Sequence, residues 1–170
     1  MLIIFGGLPG VGKTTVARAL ADALGACYLR IDTIEQALRT SGELPGGVTA
    51  AGYITAYAVA LDNLRLGRVV IADSVNPIEI TRQAWRGVAG EAGVQALEVE
   101  ITCSDPTEHR RRVETRLSDI PGLVQPDWAK VQARDYEDWG DRPLRFDTAA
   151  ARPEEIVADL LVHPLLRQRP

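Results

Sequence analysis

The segment "GLPGVGKT", residues 7–14, constrains the fold of this 170-residue chain more than any other feature. It fits the pattern G-x-x-x-x-G-K-[ST] at every defined position, after the apolar run 2–5 and before a helical pattern that begins near Val16. In such a loop, successive backbone N–H groups and the start of the next helix surround phosphate oxygens with partial positive charge. The segment therefore predicts a strand, a phosphate-binding loop and a helix.

The rest of the chain alternates short apolar runs with helix-length segments. The runs are residues 26–29, 69–72, 96–101 and 144–146. Helices are predicted from Val16 to Gly25, around Ile34 and Leu38, before Gly67, and over 77–91, 106–117, 127–139 and 153–162. Strands that alternate with helices form a parallel sheet covered on both faces. The prediction is one α/β domain over residues 1–170.

Composition narrows the class of partner. The net charge is −4 and 46% of the residues are hydrophobic, which is typical of a soluble globular protein. An acidic chain counts against a dedicated nucleic-acid binder. The first apolar run is broken by two glycines, and residues 44–61 are too polar to cross a membrane. We expect a cytoplasmic protein with no membrane partner.

The glycine loop predicts that the chain binds a nucleoside triphosphate with Mg²⁺. Lys13 is expected to bridge the β- and γ-phosphate oxygens, and the Thr14 hydroxyl is expected to bind the metal. The nucleotide-binding residues predicted from the loop are Gly7, Leu8, Pro9, Gly10, Val11, Gly12, Lys13, Thr14 and Thr15.

Two carboxylates follow predicted strands, and ligands collect at the carboxyl ends of the strands in an open α/β sheet. We expect Asp32 to deprotonate the acceptor hydroxyl and Asp73 to bind Mg²⁺, directly or through water. The reverse assignment stays open. Each aspartate is also a candidate helix N-cap, a role that can coexist with catalysis.

The segment "DPTEHRRRVETRL" predicts a basic helix within a lid over residues 105–125. On a helix, Arg112 and Arg116 share a face and could act on the charge that develops during phosphate transfer. The alternative is a solvated helix with a Glu108–Arg112 ion pair. His109 is interpreted as a packed helix residue.

The acceptor pocket is expected after Asp32, where a loop rich in Gly and Pro precedes Tyr53 and Tyr57. These two tyrosines lie one helical turn apart and are candidates either for the pocket or for the core. Arg82 raises the same choice, and Trp85 is assigned to the core.

The chain resembles the small P-loop kinase group, which includes predicted bacterial ATP-dependent kinases, zeta-toxin-like and chloramphenicol phosphotransferase-like enzymes, and polynucleotide 5′-kinases. The segments that carry the resemblance are "GLPGVGKTT", "YLRIDTIEQALR", "VVIADSVNPIEITRQAWRGVAGEAG", "CSDPTEHRRRVETR" and "RFDTAARPEEIV". It implies a three-layer nucleoside-monophosphate-kinase-like fold with a five-stranded parallel sheet, order 2-3-1-4-5, and a helical lid. It also implies ATP and Mg²⁺ as cofactors, with Arg110, Arg111, Arg112 and Arg116 in the lid and residues 148–153, including Arg152, beside the adenine.

One position departs from the resemblance. Polynucleotide 5′-kinases tend to place an arginine three residues after the strand-2 aspartate, where this chain has Glu35. Glu35 would repel an acceptor phosphate, which favours an uncharged or cationic hydroxyl compound such as a metabolite, sugar, nucleoside or antibiotic. The alternatives are a polynucleotide 5′-hydroxyl kinase and a nucleotide-binding regulatory module, although the chain lacks the N-K-x-D element typical of switch GTPases.

Overall fold

The computed structural model describes residues 1–167 and contains a five-stranded parallel sheet. The strands are β1 (Leu2–Gly6), β2 (Cys27–Arg30), β3 (Val70–Asp73), β4 (Ala96–Thr102) and β5 (Leu144–Asp147). Their order in the sheet is β2-β3-β1-β4-β5, which confirms the topology implied by the resemblance. Every predicted strand is present to within one residue at either end. Residues 168–170 of the predicted domain lie outside the described part of the chain.

Helices cover both faces of this sheet. They are α1 (Lys13–Leu24), α2 (Ile31–Ser41), α3 (Ala51–Arg65), α4 (Glu79–Glu91), α5 (Pro106–Thr115), α6 (Trp128–Gln132), α7 (Pro153–Leu161) and α8 (Pro164–Arg167). Alternate residues of β1 enter opposite cores, Ile3 with α1 and α7, and Ile4 with α3 and α4. The predicted three-layer α/β fold is therefore confirmed.

The register brings three strand ends to one edge of the sheet. Phe5 of β1 and Arg30 of β2 are both Cα partners of Asp73, the last residue of β3. Helices α1 and α2 begin just beyond this edge. The sheet thus collects the phosphate-binding loop and both candidate carboxylates at one place.

Two predicted helices are shorter in the structure. Helix α5 ends at Thr115, and α6 covers only Trp128–Gln132 of the predicted 127–139. The residues after α6 pack as irregular chain instead, and in this chain the Trp139 indole fills the space over Gly6, where a Cβ would lie 1.9 Å from the ring. None of the helices within residues 1–167 has both the length and the apolar character that a membrane crossing requires.

Candidate active site

Glycine geometry shapes the phosphate-binding loop, residues 7–14. Gly7, Gly10 and Gly12 have φ angles of 140°, 90° and 93°, which residues with side chains rarely adopt. Space is also limiting, since a Cβ on Gly7 would lie 2.3 Å from the carbonyl oxygen of Ile101. Gly12 caps α1 without a side-chain hydrogen bond. The Thr15 and Val16 N–H groups donate to the Gly12 carbonyl, which leaves the N–H groups of Lys13 and Thr14 at the start of α1 for phosphate oxygens.

Two side chains hold the loop from outside. Nε2 of His109 lies 2.9 Å from the Pro9 carbonyl oxygen, and the Thr148 hydroxyl donates to the Val11 carbonyl oxygen at 2.7 Å. Because a carbonyl only accepts, this His109 nitrogen carries the proton. The His109 ring is buried and packs edge-on against Trp128. The interpretation of His109 as a packed helix residue is confirmed, and its ring also braces the loop.

Lys13 and Asp73 form a buried ion pair under the loop. The Lys13 Nζ lies 3.1 Å from Asp73 Oδ1, and the Tyr28 hydroxyl donates to Asp73 Oδ2 at 2.6 Å. Burial raises the pKa of the Asp73 carboxyl, but the Lys13 charge and hydrogen bonds from Tyr28 and Thr14 outweigh it and lower the pKa. Asp73 is therefore ionised at neutral pH. It is also the last residue of β3, and the N-cap of α4 is Ile78, so the capping interpretation of Asp73 is wrong.

The same group of atoms fits Mg²⁺. Although Lys13 pairs with it electrostatically, Asp73 Oδ1 is buried and accepts no aligned hydrogen bond in the described chain. The Thr14 hydroxyl is close enough to interact with the same carboxylate. Carboxylate and hydroxyl oxygens are the donors that Mg²⁺ prefers. Asp73 and Thr14 could hold the metal beside the loop, and their assignment as metal ligands stays a prediction.

A smaller cavity of about 340 Å³ lies on the far side of the loop. Its lining residues are Gly12, Thr15, Arg112, Thr148, Ala149, Ala150, Ala151, Arg152 and Pro153. Arg112 donates to the Thr148 hydroxyl at 2.7 Å, to the Thr148 carbonyl at 3.1 Å and to Glu108 at 2.7 Å. Arg152 is exposed and ion-paired with Glu155. The cavity lies at the segment for which the resemblance implies adenine binding.

A larger cavity of about 800 Å³ opens in front of the loop. Counting Lys13 of the loop, its lining carries seven basic and three acidic side chains. The basic ones are Lys13, Arg18, Arg30, Arg39, Arg112, Arg116 and Arg134, and the acidic ones are Asp32, Glu35 and Asp119. This cavity has the size of a small-molecule site and an excess of positive charge.

Asp32 and Arg116 both line this cavity. Asp32 is half-buried and is the second residue of α2, whose N-cap is Arg30, so the capping interpretation of Asp32 is wrong. Arg116 follows the end of α5 with extended backbone (φ −68°, ψ 140°), so it does not share a helical face with Arg112 as predicted. Burial lowers the pKa of Arg116. The negative charge of Asp32 opposes this lowering, and the positive charge of Arg30 adds to it. The three charged groups are therefore close neighbours.

The arginines of α5 divide between solvent and site. Arg110 pairs with Glu114 at 2.8 Å and Arg111 pairs with Glu108 at 2.7 Å, both on the exposed surface. Arg112 also contacts Glu108, which confirms the predicted Glu108–Arg112 ion pair. Arg112 lines both cavities as well. Arg112 and Arg116 are therefore the two arginines of this segment that line the large cavity.

Besides Asp32, two of the predicted acceptor residues line the large cavity. Glu35 faces it from α2 and accepts a hydrogen bond from Arg39 at 2.9 Å. The Tyr53 ring lies across from it on α3, and burial raises the pKa of its phenol. Gly52 is required next to Tyr53, because a Cβ there would lie 2.4 Å from the Glu35 side chain.

The other two predicted acceptor residues lie elsewhere, which corrects their assignment. The Tyr57 ring packs edge-on against the buried Trp85, and its hydroxyl donates to the Thr81 carbonyl at 3.3 Å. Arg82 is 1% exposed, and its guanidinium stacks on Trp139. Arg82 also donates to the carbonyl oxygens of residues 76, 137 and 138. The apolar environment of α3 and α4 leaves both side chains in the second core, away from the cavity.

Sequence reasoning missed four side chains at this edge of the sheet. Tyr28 and Arg30 belong to β2, and their position before Asp32 at a strand end was an available signal. Arg18 lies one helical turn past the phosphate-binding loop on α1. Asp119 gave no local signal, because it reaches Arg30 across 89 residues of chain.

Comparisons with known proteins agree with this geometry. The family model described as "AAA domain" (AAA_33) matches residues 2–133. The uncharacterized protein Rv2004c of Mycobacterium tuberculosis is 30% identical over 168 residues, which cover 91% of this chain and 33% of that protein. The chain thus spans about a third of the length of this relative. A protein of Aeropyrum pernix named "Probable adenylyl-sulfate kinase" is 28% identical over 133 residues, covering 71% of this chain and 73% of that one.

Solved structures share the fold. The Mycobacterium tuberculosis APS kinase CysC in complex with AMPPNP and APS superposes with a TM-score of 0.72 at 22% identity, covering 98% of this chain and 97% of that one. A gluconokinase from Sinorhizobium meliloti 1021 gives a TM-score of 0.65 at 23% identity, covering 97% and 91%. Since the family model spans the loop, both candidate carboxylates and the arginines of α5, the chain belongs to the AAA domain family, in the group of small P-loop kinases.

Proposed function

We propose that the chain transfers the γ-phosphate of ATP to a hydroxyl group of a small molecule. The observation that carries the proposal is the cluster of Lys13, Thr14 and Asp73 at the loop, facing a cavity of about 800 Å³ with Asp32 in its wall. A regulatory module needs a nucleotide site but has no use for a second, ligand-sized cavity that places a carboxylate beside the triphosphate. The geometry therefore favours a transferase.

The triphosphate side is built from the loop. Lys13 and the first turn of α1 bind the β- and γ-phosphates, and Thr14 and Asp73 hold Mg²⁺, which neutralises charge on these phosphates when bound. Arg112 approaches the phosphates from the other side, where it lines both cavities. The nucleobase occupies the 340 Å³ cavity beside Arg152.

The acceptor side supplies the base. Asp32 takes the proton of the acceptor hydroxyl as the acceptor oxygen forms its bond to the γ-phosphorus. The bond from that phosphorus to the oxygen bridging to the β-phosphate breaks, and ADP leaves. Arg116 stabilises charge on the transferred group, and α5 with residues 116–126 acts as the lid. Glu35 and Tyr53 contact the acceptor.

The basic lining of the cavity favours a second candidate, a kinase for nucleic-acid 5′-hydroxyl ends, because arginines bind backbone phosphates well. Its acceptor therefore belongs in the same assay. The relatives named for adenylyl sulfate and gluconate suggest two further acceptors to include.

The test is ADP formation with Mg-ATP against a panel of acceptors. The panel contains adenylyl sulfate, gluconate, sugars, nucleosides, aminoglycosides, chloramphenicol-like alcohols and a 5′-hydroxyl oligonucleotide. We expect one small molecule to stimulate turnover and to appear phosphorylated, with Lys13→Ala inactive as the control. Stimulation by the oligonucleotide alone would select the second candidate. Tight ATP binding without stimulation by any acceptor would contradict the kinase proposal.

A further inference from the structure

Arg30 is a buried cation that forms an ion pair with Asp119, a carboxylate in the wall of the large cavity. The side chain is 8% exposed, and its Nη1 donates to both oxygens of Asp119, at 2.8 and 3.0 Å. Asp119 is 45% exposed and belongs to the segment 116–126 that covers the cavity. A second contact joins Asp119 to Arg18 at 2.5 Å.

Neighbouring guanidinium groups are short of acceptors. Arg30 Nε, Arg116 Nε and Arg116 Nη2 are all buried, and none of them has a hydrogen-bond partner in the part of the chain that the structure describes. A buried donor without an acceptor costs about 1–3 kcal/mol, and more when it is charged. Three such donors on two adjacent arginines form a site that lacks an anion.

The acidic groups nearby do not fill this role. Glu35 is ion-paired with Arg39 at 2.9 Å. Asp32 faces the acceptor position, and Asp119 reaches only Nη1 of Arg30. The expectation of an uncharged or cationic acceptor rested on repulsion by Glu35, and in the structure Arg39 pairs with that carboxylate.

We infer that the acceptor carries an anionic group, a carboxylate, sulfate or phosphate, which binds Arg30 and Arg116 and displaces Asp119 from Arg30. The inference rests on the proposed function, since it names the class of acceptor for that reaction. Arg30 ends β2, the edge strand, and β3 separates it from β1, which feeds the phosphate-binding loop. This position favours a group on the acceptor over the γ-phosphate itself. Asp119 occupies the subsite until the acceptor arrives.

Kinetics with matched acceptors provide the first test. Each pair differs in one anionic group: glycerate and glycerol, or adenosine 5′-phosphate and adenosine. We expect transfer to favour the anionic member, and Arg30→Gln to raise its KM about 10- to 100-fold without changing the KM for ATP. Arg65→Gln removes an exposed, ion-paired arginine far from the cavity and is the matched control.

Other kinetic outcomes separate the sources of the anion. If Arg30→Gln slows both members of a pair equally and raises the KM for ATP, Arg30 serves the γ-phosphate and the inference is wrong. Preference for the neutral member would also overturn it. Absence of transfer to any acceptor would count against the proposed kinase function, and the inference would then be decided by binding.

Binding of inorganic sulfate to protein saturated with Mg-AMPPNP provides that second test, because the γ-phosphate position is then filled. Calorimetry should show sulfate binding to the wild type, weaker binding to Arg30→Gln, and about two- to fivefold tighter binding to Asp119→Asn. Arg18→Gln keeps the Arg30–Asp119 pair and should not tighten binding. Equal tightening in Arg18→Gln would mean that a loosened segment, not a vacated Arg30, is responsible. Sulfate affinity that is the same in wild type and Arg30→Gln would overturn the inference.

Discussion

The two sides of the large cavity differ in how well their polar side chains are paired before any ligand binds. On the proposed nucleotide side, Lys13, Asp73 and Thr148 are buried and joined to partners, and Arg112 is fixed by three hydrogen bonds. On the proposed acceptor side, Arg116 has buried donors without partners in the described chain, and Leu117 and Val124 of the covering segment, residues 116–126, are 93% and 86% exposed.

This difference indicates where the ligands contribute order. A fixed nucleotide side supplies preorganised charge, which needs no rearrangement when the phosphate is transferred. An acceptor side with exposed apolar groups and unpaired donors has low local stability and gains its contacts from the bound acceptor. We therefore expect nucleotide affinity to be insensitive to changes on the acceptor side.

Lys13→Ala should produce the largest effect, because it removes the buried ion pair on the nucleotide side. It removes the cation that we propose binds phosphate, and it leaves Asp73 buried without its ion-pair partner. We expect kcat/KM for ATP to fall about 10³-fold, with weaker nucleotide binding. The chain has one other lysine, Lys130, which is 71% exposed on α6, and Lys130→Ala is the natural control. A fully active Lys13→Ala enzyme would refute the role of the loop.

Asp32→Asn should separate the two sides most clearly. If Asp32 is the base, transfer should fall about 10²-fold or more while ATP affinity stays within about twofold. Asp73→Asn should instead weaken Mg-ATP binding, because Asp73 lies with Thr14 at the loop. Binding assays with both variants decide the assignment: loss of nucleotide binding in Asp32→Asn would exchange the two roles.

The elements around the loop were predicted well because their signals are local. The loop motif, the strand before it and the helix after it follow one another within residues 2–24, and Asp73 follows an apolar run. The acceptor side depends on contacts between distant segments, such as Asp119 with Arg30 and Gly52 with Glu35. No spacing rule reports such contacts.

Arg82 and Tyr57 show why residue type alone misplaced part of the site. A basic or phenolic side chain suggests binding, yet both are satisfied by backbone carbonyls in a core that α3 and α4 form with Trp85 and Trp139. Two of the carbonyls that hold Arg82, those of Glu137 and Asp138, lie in the irregular chain after α6. That irregular path depends on tertiary packing and carries no local pattern.

Thr148→Val and Leu117→Ser compare how much each side of the cavity contributes to the free energy of unfolding. Loss of the Thr148 hydroxyl leaves the Val11 carbonyl and one Arg112 donor unpaired, which should lower the free energy of unfolding by about 1–2 kcal/mol. Leu117 is exposed, so its replacement should change stability by less than about 0.5 kcal/mol. Denaturant titration measures both. Equal losses would mean that the acceptor side is as tightly built as the nucleotide side.

The smallest expected effect is the pH dependence of the Asp119 contact. Hydrogen bonds from Arg30 and then Arg18 lower the pKa of Asp119 to about 2 in the folded chain, from an ordinary value of 3.8. A lowered carboxyl pKa stabilises the fold above the unfolded value, and this contribution is lost as the pH falls toward the folded value. Wild type should therefore exceed Asp119→Asn in Tm by at most about 3 °C between pH 5 and 8, and the difference should shrink below about pH 4.

The same reasoning sets a condition on the acceptor side. Because Asp119 stays ionised across about pH 5–8, a change of pH in that range cannot release Arg30, and only a competing anion can. Sulfate keeps its charge over this range, so its affinity for the Mg-AMPPNP complex should be constant there. A sulfate affinity that rises as the pH falls from 8 to 5 would show that a group other than Asp119 controls access to Arg30.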